Sequence, residues 1–406
     1  MLSCTPSPIP RSSRTRGSLP QTKPTQYLRR VHSAASPLTP TDARPPVATS
    51  YQPALTGLRA VAAWLIFGFH FNPFAPAGAT HWLHAFVREW YTGVTVFFVL
   101  SGLLLGLRYQ SGFSAPGTIG RYLRSRAVRI LPLYWLVTLL TFGVAAFSSH
   151  QLDWLALLLN LTLLRGFFEE YLLSGVSQGW SLTTEAGFYL LVPLLAVKRF
   201  SAWWLVPLLW AVGVLLAWLS AGHAWHGFMQ SYGLMWHATP FGRILDFVVG
   251  WQVARWYRQR LASHVSVAPR RRFPWLTCGG VVGFGVLLVA LAALSNPVGH
   301  EHPLGAALHN LILPFAVAAL LAGLLTEHSW LRTLLASRPL QVLGLSSYAF
   351  FLLHMGVAQR AVSSLLNHSL LPVQFVLLQL LAVGVYYLIE RPLDRVLGPK
   401  PTIDNL

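Results

Sequence analysis

The stretch Leu55-Thr56-Gly57-Leu58-Arg59-Ala60-Val61-Ala62-Ala63-Trp64-Leu65-Ile66-Phe67-Gly68-Phe69-His70 is apolar apart from an arginine near its start and a histidine at its end. In an α-helix, the spacing from Arg59 to His70 corresponds to three turns plus about 20°, with a rise of roughly 16 Å. Both side chains therefore lie on one face. The run is apolar enough for a membrane, where an ionisable group is costly and usually faces a cavity or a partner. The alternative is a flanking arginine with an interfacial histidine.

The composition predicts an integral membrane protein. Hydrophobic residues make up 54% of the 406 positions, and apolar runs alternate with short polar joints. The 30 Lys and Arg outnumber the 12 Asp and Glu, but they cluster in alternate loops, so we expect no nucleic-acid partner. Cys4 and Cys278 support no disulfide framework, and no metal site is expected. The irregularly spaced histidines from His223 to His237 favour a solvated loop over a metal site.

The chain divides into a basic, Pro/Ser/Arg-rich tail at 1–50, which we expect to be disordered, a membrane domain at 52–396 and a short tail at 397–406. The run from Leu152 to Leu164 is too short to span with confidence and predicts an interfacial or re-entrant segment. The predicted fold is all-α, a polytopic membrane helix bundle of about ten transmembrane helices. The predicted spans are 56–73, 91–109, 130–148, 180–197, 202–220, 240–257, 275–294, 306–325, 342–361 and 371–389.

Basic residues alternate between the joints of these spans. If the N-terminal tail is cytoplasmic, the other joints hold little beyond Arg88 and Arg165, as the positive-inside rule predicts. The expected location is the plasma (inner) membrane, with both termini cytoplasmic. The basic residues of the inner joints are Arg121, Arg124, Arg126, Arg129, Lys198, Arg199, Arg255, Arg258, Arg260, Arg270, Arg271, Arg272, Arg332, Arg338, Arg391, Arg395 and Lys400.

Several spans carry ionisable residues at a similar predicted depth. Glu185 lies early in an inward-running span, and His354 lies late in an outward-running one, as His70 does. Arg243 and Asp246 are three residues apart on one helix face in the same layer. The alternatives are a structural ion pair for Arg243 with Asp246 and a hydrogen-bonded interior histidine for His354.

Two further segments have two possible interpretations. Ser101 and Gly102, in the second span, indicate close helix packing more readily than a nucleophile. The arginines of the joint 121–134 suit a cytoplasmic phosphate-bearing ligand, since arginine binds phosphate bidentately, but they also suit topology alone.

Six motifs together resemble the acyltransferase 3 family of integral-membrane O-acyltransferases, over about 52–396. Thr56 stands where the family usually has Asp, and Ala186 follows Glu185 where a second carboxylate is common. These departures weaken a role for an acid at the inner end of the first span and leave Glu185 as the one carboxylate of its motif. The matching segments are Leu55–Arg59 with His70, Phe97–Gly102, Arg129–Tyr134, Trp180–Glu185, Ser347–His354 and Glu390–Pro392.

The resemblance implies transfer of an acyl group, with acetyl expected, from cytoplasmic acyl-CoA to a hydroxyl of a carbohydrate or glycoconjugate at the outer side. Acyl-CoA would be the donor substrate, and no permanently bound cofactor is expected. His70 would be the general base or would carry the acyl group transiently, and Glu185 would orient His70 or bind the acceptor. Arg59, Arg126 and Arg129 are assigned to the CoA phosphates. The other candidate binding residues are Ser101, Tyr134, Arg243 and His354.

Two other classes of function stay open. About ten spans with scattered polar residues also suit a secondary transporter, although the sequence has no internal repeat and no paired broken spans. The other class is a non-catalytic membrane component of polysaccharide assembly. The pairing of Arg59 with His70 and the presence of Glu185 favour the acyltransferase.

Overall fold

The computed structural model describes residues 51–113, 115–197, 201–222, 225–263, 273–294, 299, 302–366 and 370–398. Within these ranges the chain is helical, and one isolated antiparallel bridge joins Phe168 to Phe228. The predicted all-α class is therefore confirmed. Outside the described residues lie the tail 1–50, most of the tail 397–406, and the predicted positions Lys198, Arg199, His223, Arg270, Arg271, Arg272 and Lys400.

Eighteen α-helices are described, several of them short. The first nine are α1 (Pro53–His70), α2 (His81–Arg88), α3 (Gly93–Tyr109), α4 (Thr118–Ser149), α5 (Trp154–Leu161), α6 (Trp180–Leu195), α7 (Leu205–Ser220), α8 (Tyr232–Ala238) and α9 (Ile244–Ala262). The others are α10 (Trp275–Leu294), α11 (Pro303–Ala307), α12 (Leu313–Thr326), α13 (Trp330–Leu335), α14 (Arg338–Leu345), α15 (Ser347–Leu353), α16 (Val357–Leu365), α17 (Leu371–Val385) and α18 (Arg391–Leu397). Two π-helical turns, Leu308–Ile312 and Tyr386–Glu390, join α11 to α12 and α17 to α18.

Six helical segments of the described chain are long and apolar enough to cross a membrane: 78–109, 118–149, 202–220, 275–294, 303–326 and 371–397. They account for six of the ten predicted spans, and the count of about ten is not confirmed. The other four predicted spans fall on α1, α6, α9 and the segment α14–α16. Arg59, His70, Glu185 and Asp246 lower the apolar character of α1, α6 and α9, whereas the fourth segment is broken into three short helices.

The predicted continuous helix at 342–361 is wrong in detail, because the chain there forms α14, α15 and α16. Ser346 separates α14 from α15, and its hydroxyl donates to the carbonyls of Val342 and Leu343. The second break follows α15, where Gly356 adopts a φ of 78° that favours glycine. His354 lies in this second break.

Glycines let α3 and α9 pack closely. A Cβ on Gly102 would meet the carbonyl of Phe247, and a Cβ on Gly250 would meet the carbonyl of Val99. Small residues at such crossings allow two backbones to approach, which is how helices associate in membranes. Gly102 therefore serves helix packing, while its neighbour Ser101 is left to line the space between α3 and α6.

The largest apolar core joins α1, α3, α4, α6, α9 and α15. It contains the fully buried rings of Tyr134, Phe188, Phe247 and Phe350. Helices far apart in the chain are thus held around one region, and a cavity lies among them.

Candidate active site

A cavity of about 100 Å³ lies between α1, α3, α4, α6 and α15. It gathers polar side chains that are far apart in the chain, and its remaining walls are largely apolar, with Phe97, Phe98 and Phe351 among them. The polar residues that line it are Arg59, Ser101, Arg126, Arg129, Ser181, Glu185, Tyr189, Ser347 and Tyr348. The structure therefore brings together five of the nine predicted site residues: Arg59, Ser101, Arg126, Arg129 and Glu185.

One of the three arginines is already neutralised. Arg129 Nη1 lies 2.7 Å from Glu390 Oε1, and Glu390 is 5% exposed. Glu390 comes from the π-helical turn before α18 and pairs with Arg129 of α4, which lines the cavity. The sequence motif contained Glu390, but its role as a partner was missed. A carboxylate at the end of an apolar run was the available signal, because such a group needs a cation or a cavity.

Arg59 and Arg126 have no carboxylate within ion-pair distance in the described part of the chain. The guanidinium of Arg59 lies 6.0 Å from the centre of the Phe97 ring, and that of Arg126 lies 5.9 Å from the Tyr189 ring. Arg59 also interacts electrostatically with Glu185 and is repelled by Arg129. Three arginines against Glu185 and Glu390 leave the cavity with a net positive charge, which favours an anionic ligand.

Glu185 is held by two hydroxyl groups. Ser101 Oγ donates to its Oε1 at 2.9 Å, and the Tyr189 hydroxyl donates to the same oxygen at 2.6 Å. The sequence predicts Glu185 at the same membrane depth as His70, whereas the structure places Glu185 in the cavity with Arg59. Within the described ranges, no contact joins Glu185 to His70.

His70 and His354 form a pair outside this cavity. Their ring centres are 5.3 Å apart, with the planes inclined by 40°. His354 is fully buried, and its Nδ1 lies 2.8 Å from the Phe351 carbonyl, so Nδ1 carries the proton and donates. Its Nε2 then has a free lone pair, and no hydrogen-bond partner for it lies among the described residues. Long-range packing therefore brings together the two histidines that the motifs singled out.

Arg243 belongs to a different buried cluster. Its Nη2 lies 2.6 Å from Asp246 Oδ2 and donates to Thr95 Oγ1 at 2.6 Å, while Nη1 donates to Asn310 Oδ1 at 3.1 Å and lies against His309. His309 and Asn310 project from the π-helical turn before α12 and were missed, since nothing in the sequence shows that turn. Arg243 and Asp246 therefore have the geometry of a structural ion pair, which was the alternative to a role in binding.

Tyr134 also lies away from the cavity. Its hydroxyl donates to Asn160 Oδ1 at 3.3 Å, and Arg165 Nη1 donates to the same oxygen at 3.0 Å. Arg165 is fully buried and also donates to the carbonyls of Ser174 and Val176. The sequence predicts Arg165 in a joint between spans; the structure shows it buried there, where its guanidinium holds the 165–177 segment together.

In the part of the chain that the structure describes, no group of three His, Cys, Asp or Glu side chains is arranged to hold a metal ion. A comparison with protein-family models matches residues 52–391 to the acyltransferase 3 family, described as an acyltransferase domain. Comparisons with curated proteins and with solved structures gave no match. The family match covers most of the chain and contains the cavity, the histidine pair and Glu390. The chain therefore belongs to the acyltransferase 3 family, and this membership together with its long apolar helices indicates a membrane acyltransferase.

Proposed function

We propose that the protein is an acyl-CoA-dependent O-acyltransferase that moves a short acyl group, with acetyl expected, to a hydroxyl of a carbohydrate or glycoconjugate at the outer side of the plasma (inner) membrane. The observation that carries this proposal is the convergence of Arg59, Arg126 and Arg129 on one cavity. These cations come from two helices, and their charge exceeds that of the two nearby carboxylates. An anionic donor neutralises this excess positive charge.

The phosphates of the donor bind at Arg59 and Arg126, which are the two cavity arginines without a carboxylate partner in the described residues. Guanidinium groups bind phosphate through paired, charge-assisted hydrogen bonds. Arg129 is fixed by Glu390 and supplies a third, partly neutralised charge. Glu185, held by Ser101 and Tyr189, offsets part of the repulsion between the cations before the donor enters.

The spacing along α1 links the donor site to the histidine pair. Arg59 and His70 lie roughly 16 Å apart along the helix axis, from a rise of 1.5 Å per residue. An extended phosphopantetheine arm covers a comparable distance, so phosphates held near Arg59 let the thioester approach His70. This geometry separates the groups that bind the donor from the group that performs the proton transfer.

At the reacting end, the acceptor hydroxyl attacks the thioester carbonyl, and a ring nitrogen of His70 takes the hydroxyl proton. The new oxygen–acyl bond forms, the carbon–sulfur bond breaks, and the CoA thiolate leaves and receives the proton from His70. The products are the O-acyl ester and CoA with a free thiol. His354 packs beside His70, with the ring centres 5.3 Å apart, and so helps to hold the His70 ring in position. A route in which His70 first carries the acyl group is the other possible order of events.

The test uses the protein in lipid nanodiscs, with CoA binding and transfer of a labelled acetyl group as separate readouts. Hydrogen bonds to charged groups contribute about 1.5–3 kcal/mol, so Arg126→Glu should weaken CoA binding by roughly 10- to 150-fold. Arg124→Glu is the matched control, because Arg124 lies on the same helix, is exposed and donates to the Leu397 carbonyl instead. His70→Ala should bind CoA normally and transfer no acyl group.

Two results would contradict the proposal. Normal transfer by folded His70→Ala would remove His70 from the chemistry. Failure of the wild-type protein to bind CoA would exclude acyl-CoA as the donor and would favour a secondary transporter instead.

A further inference from the structure

A second concave site lies beside α8, away from the arginine cavity. This groove has a volume of about 650 Å³ and runs between α8, the 169–172 segment, Val214 of α7 and Ala306 of α11. Nothing in the donor chemistry requires it, and it is several times larger than the cavity at Arg59. Its size suits a ligand of several rings rather than a single small group.

The groove combines flat aromatic surfaces with hydrogen-bonding groups. Tyr232 is 54% exposed, and Trp236 is half-buried against Trp210 at a ring distance of 5.2 Å. Ser231 Oγ accepts from the backbone N–H of Leu234, which leaves its own O–H able to donate. Aromatic faces cover the C–H surfaces of sugar rings, while hydroxyl and carboxylate groups bind the sugar hydroxyls.

The charge of the groove is opposite to that of the donor cavity. Among the described residues that line it none is Lys or Arg, and Glu169 is exposed in its wall. The neighbouring Glu170 points elsewhere and lies 3.2 Å from His226. With the Glu169 carboxylate and no Lys or Arg in the described lining, the groove repels an anionic ligand. The groove therefore favours an uncharged, hydroxyl-rich ligand, and it also disfavours the anionic headgroup of a lipid.

A continuous row of rings joins the groove to His70. His237, in the groove wall, lies 6.2 Å from the His309 ring, and His309 lies 5.1 Å from Tyr91. Tyr91 lies 5.8 Å from Phe69, and Phe69 lies 4.7 Å from His70. Only three rings thus separate the groove wall from the proposed base. This row leads from the groove wall to the His70 end of α1.

We propose that this groove binds the acyl acceptor and that the acceptor segment it binds is an uncharged glycan. Tyr232 and Trp236 stack on sugar rings, and Glu169 and Ser231 bind hydroxyl groups. This inference rests on the proposed function, because it names the acceptor site for the same transfer reaction. It assigns donor and acceptor to two sites of opposite charge, so that the anionic donor does not compete for the acceptor groove.

The experiment measures transfer of labelled acetyl from acetyl-CoA by the protein in nanodiscs. The acceptors are surface glycans from the source cells, deacylated with mild alkali and separated by anion exchange into neutral and acidic pools, with a lipid extract as a third acceptor. Tyr232→Ala is compared with Tyr51→Ala, since Tyr51 is 57% exposed and lies outside the groove. Glu169→Lys is compared with the neighbouring Glu170→Lys. CoA binding is measured for every variant.

We expect the wild-type protein to label the neutral pool. Tyr232→Ala should raise the half-saturating glycan concentration at least tenfold with unchanged CoA binding, and Tyr51→Ala should match wild type within twofold. Glu169→Lys should increase labelling of the acidic pool several-fold relative to the neutral pool, and Glu170→Lys should not.

The groove assignment is overturned if folded Tyr232→Ala and Glu169→Lys both behave as wild type. It is also overturned if the label enters only the acidic pool or the lipid extract, or if CoA binds and no pool is labelled. In each of these cases CoA binding persists, so the assignment of acyl-CoA as the donor still holds. Loss of CoA binding by the wild-type protein is the distinct result that defeats the proposed function itself.

Discussion

Replacing Arg129 by Gln would leave the carboxylate of Glu390 in a buried site without its cation. Arg129 Nη1 and Glu390 Oε1 are 2.7 Å apart, and Glu390 is almost completely buried. Its other oxygen, Oε2, has no hydrogen-bond partner among the described residues, so the charge of Arg59, which is not in ion-pair contact with it, compensates only in part for the lost cation. Removing one partner of a buried ion pair costs about 3–5 kcal/mol, and we expect Arg129→Gln to lose that much stability.

Replacing Glu390 by Gln should lower the free energy of unfolding by less than Arg129→Gln does. The Arg129 side chain is 27% exposed and faces the cavity, so water can solvate its guanidinium when Glu390 becomes Gln. We expect a loss of about 1–3 kcal/mol for Glu390→Gln, between the values for exposed and buried pairs. The double variant removes both charges, so its loss should be about 2 kcal/mol smaller than the sum of the single losses.

The free energy of unfolding can be measured by titrating the protein with SDS in mixed micelles and following helix content by circular dichroism. Arg124→Gln serves as the control for removal of an exposed arginine on the same helix and should change stability by less than about 0.5 kcal/mol. If the losses of Arg129→Gln and Glu390→Gln simply add in the double variant, the pair is not coupled, and the account of a neutralised third arginine is wrong.

Three other predictions follow from the described contacts. Gly250→Val should prevent stable folding, because its Cβ would meet a backbone carbonyl of α3, whereas Gly285→Val, which has open space around it, should yield normal amounts of monodisperse protein in detergent. Glu327→Gln should cost about 1 kcal/mol in the same SDS titration, since its carboxylate accepts two backbone N–H groups at the start of α10; unchanged stability would contradict this capping role. His354→Ala should lower the turnover number about tenfold or more without changing CoA affinity, because His70 loses the ring beside it; a matching loss of CoA binding would point to a structural role instead.

Periodicity in the sequence was enough to predict the helical class and the position of Arg59 and His70 on α1. It also singled out Arg59 and Glu185 of the arginine-lined cavity, because an arginine or a glutamate inside an apolar run is conspicuous wherever the run lies. Six of the ten predicted spans coincide with helices apolar enough to cross a membrane. The remaining segments were harder to assign, since their polar residues weaken the hydropathy signal and α14 to α16 are interrupted at Ser346 and Gly356.

What the sequence by itself determined is local: which residues form helices, which face of α1 carries Arg59 and His70, and membership of a family through motifs in order. Only the tertiary structure decided which of these residues meet. It placed Glu185 with Ser101 instead of His70, and it paired Arg129 with Glu390, 261 residues away. The physical reason is that helix periodicity depends on neighbours within a few residues, whereas side-chain pairing depends on helix crossings and breaks set by packing across the whole bundle.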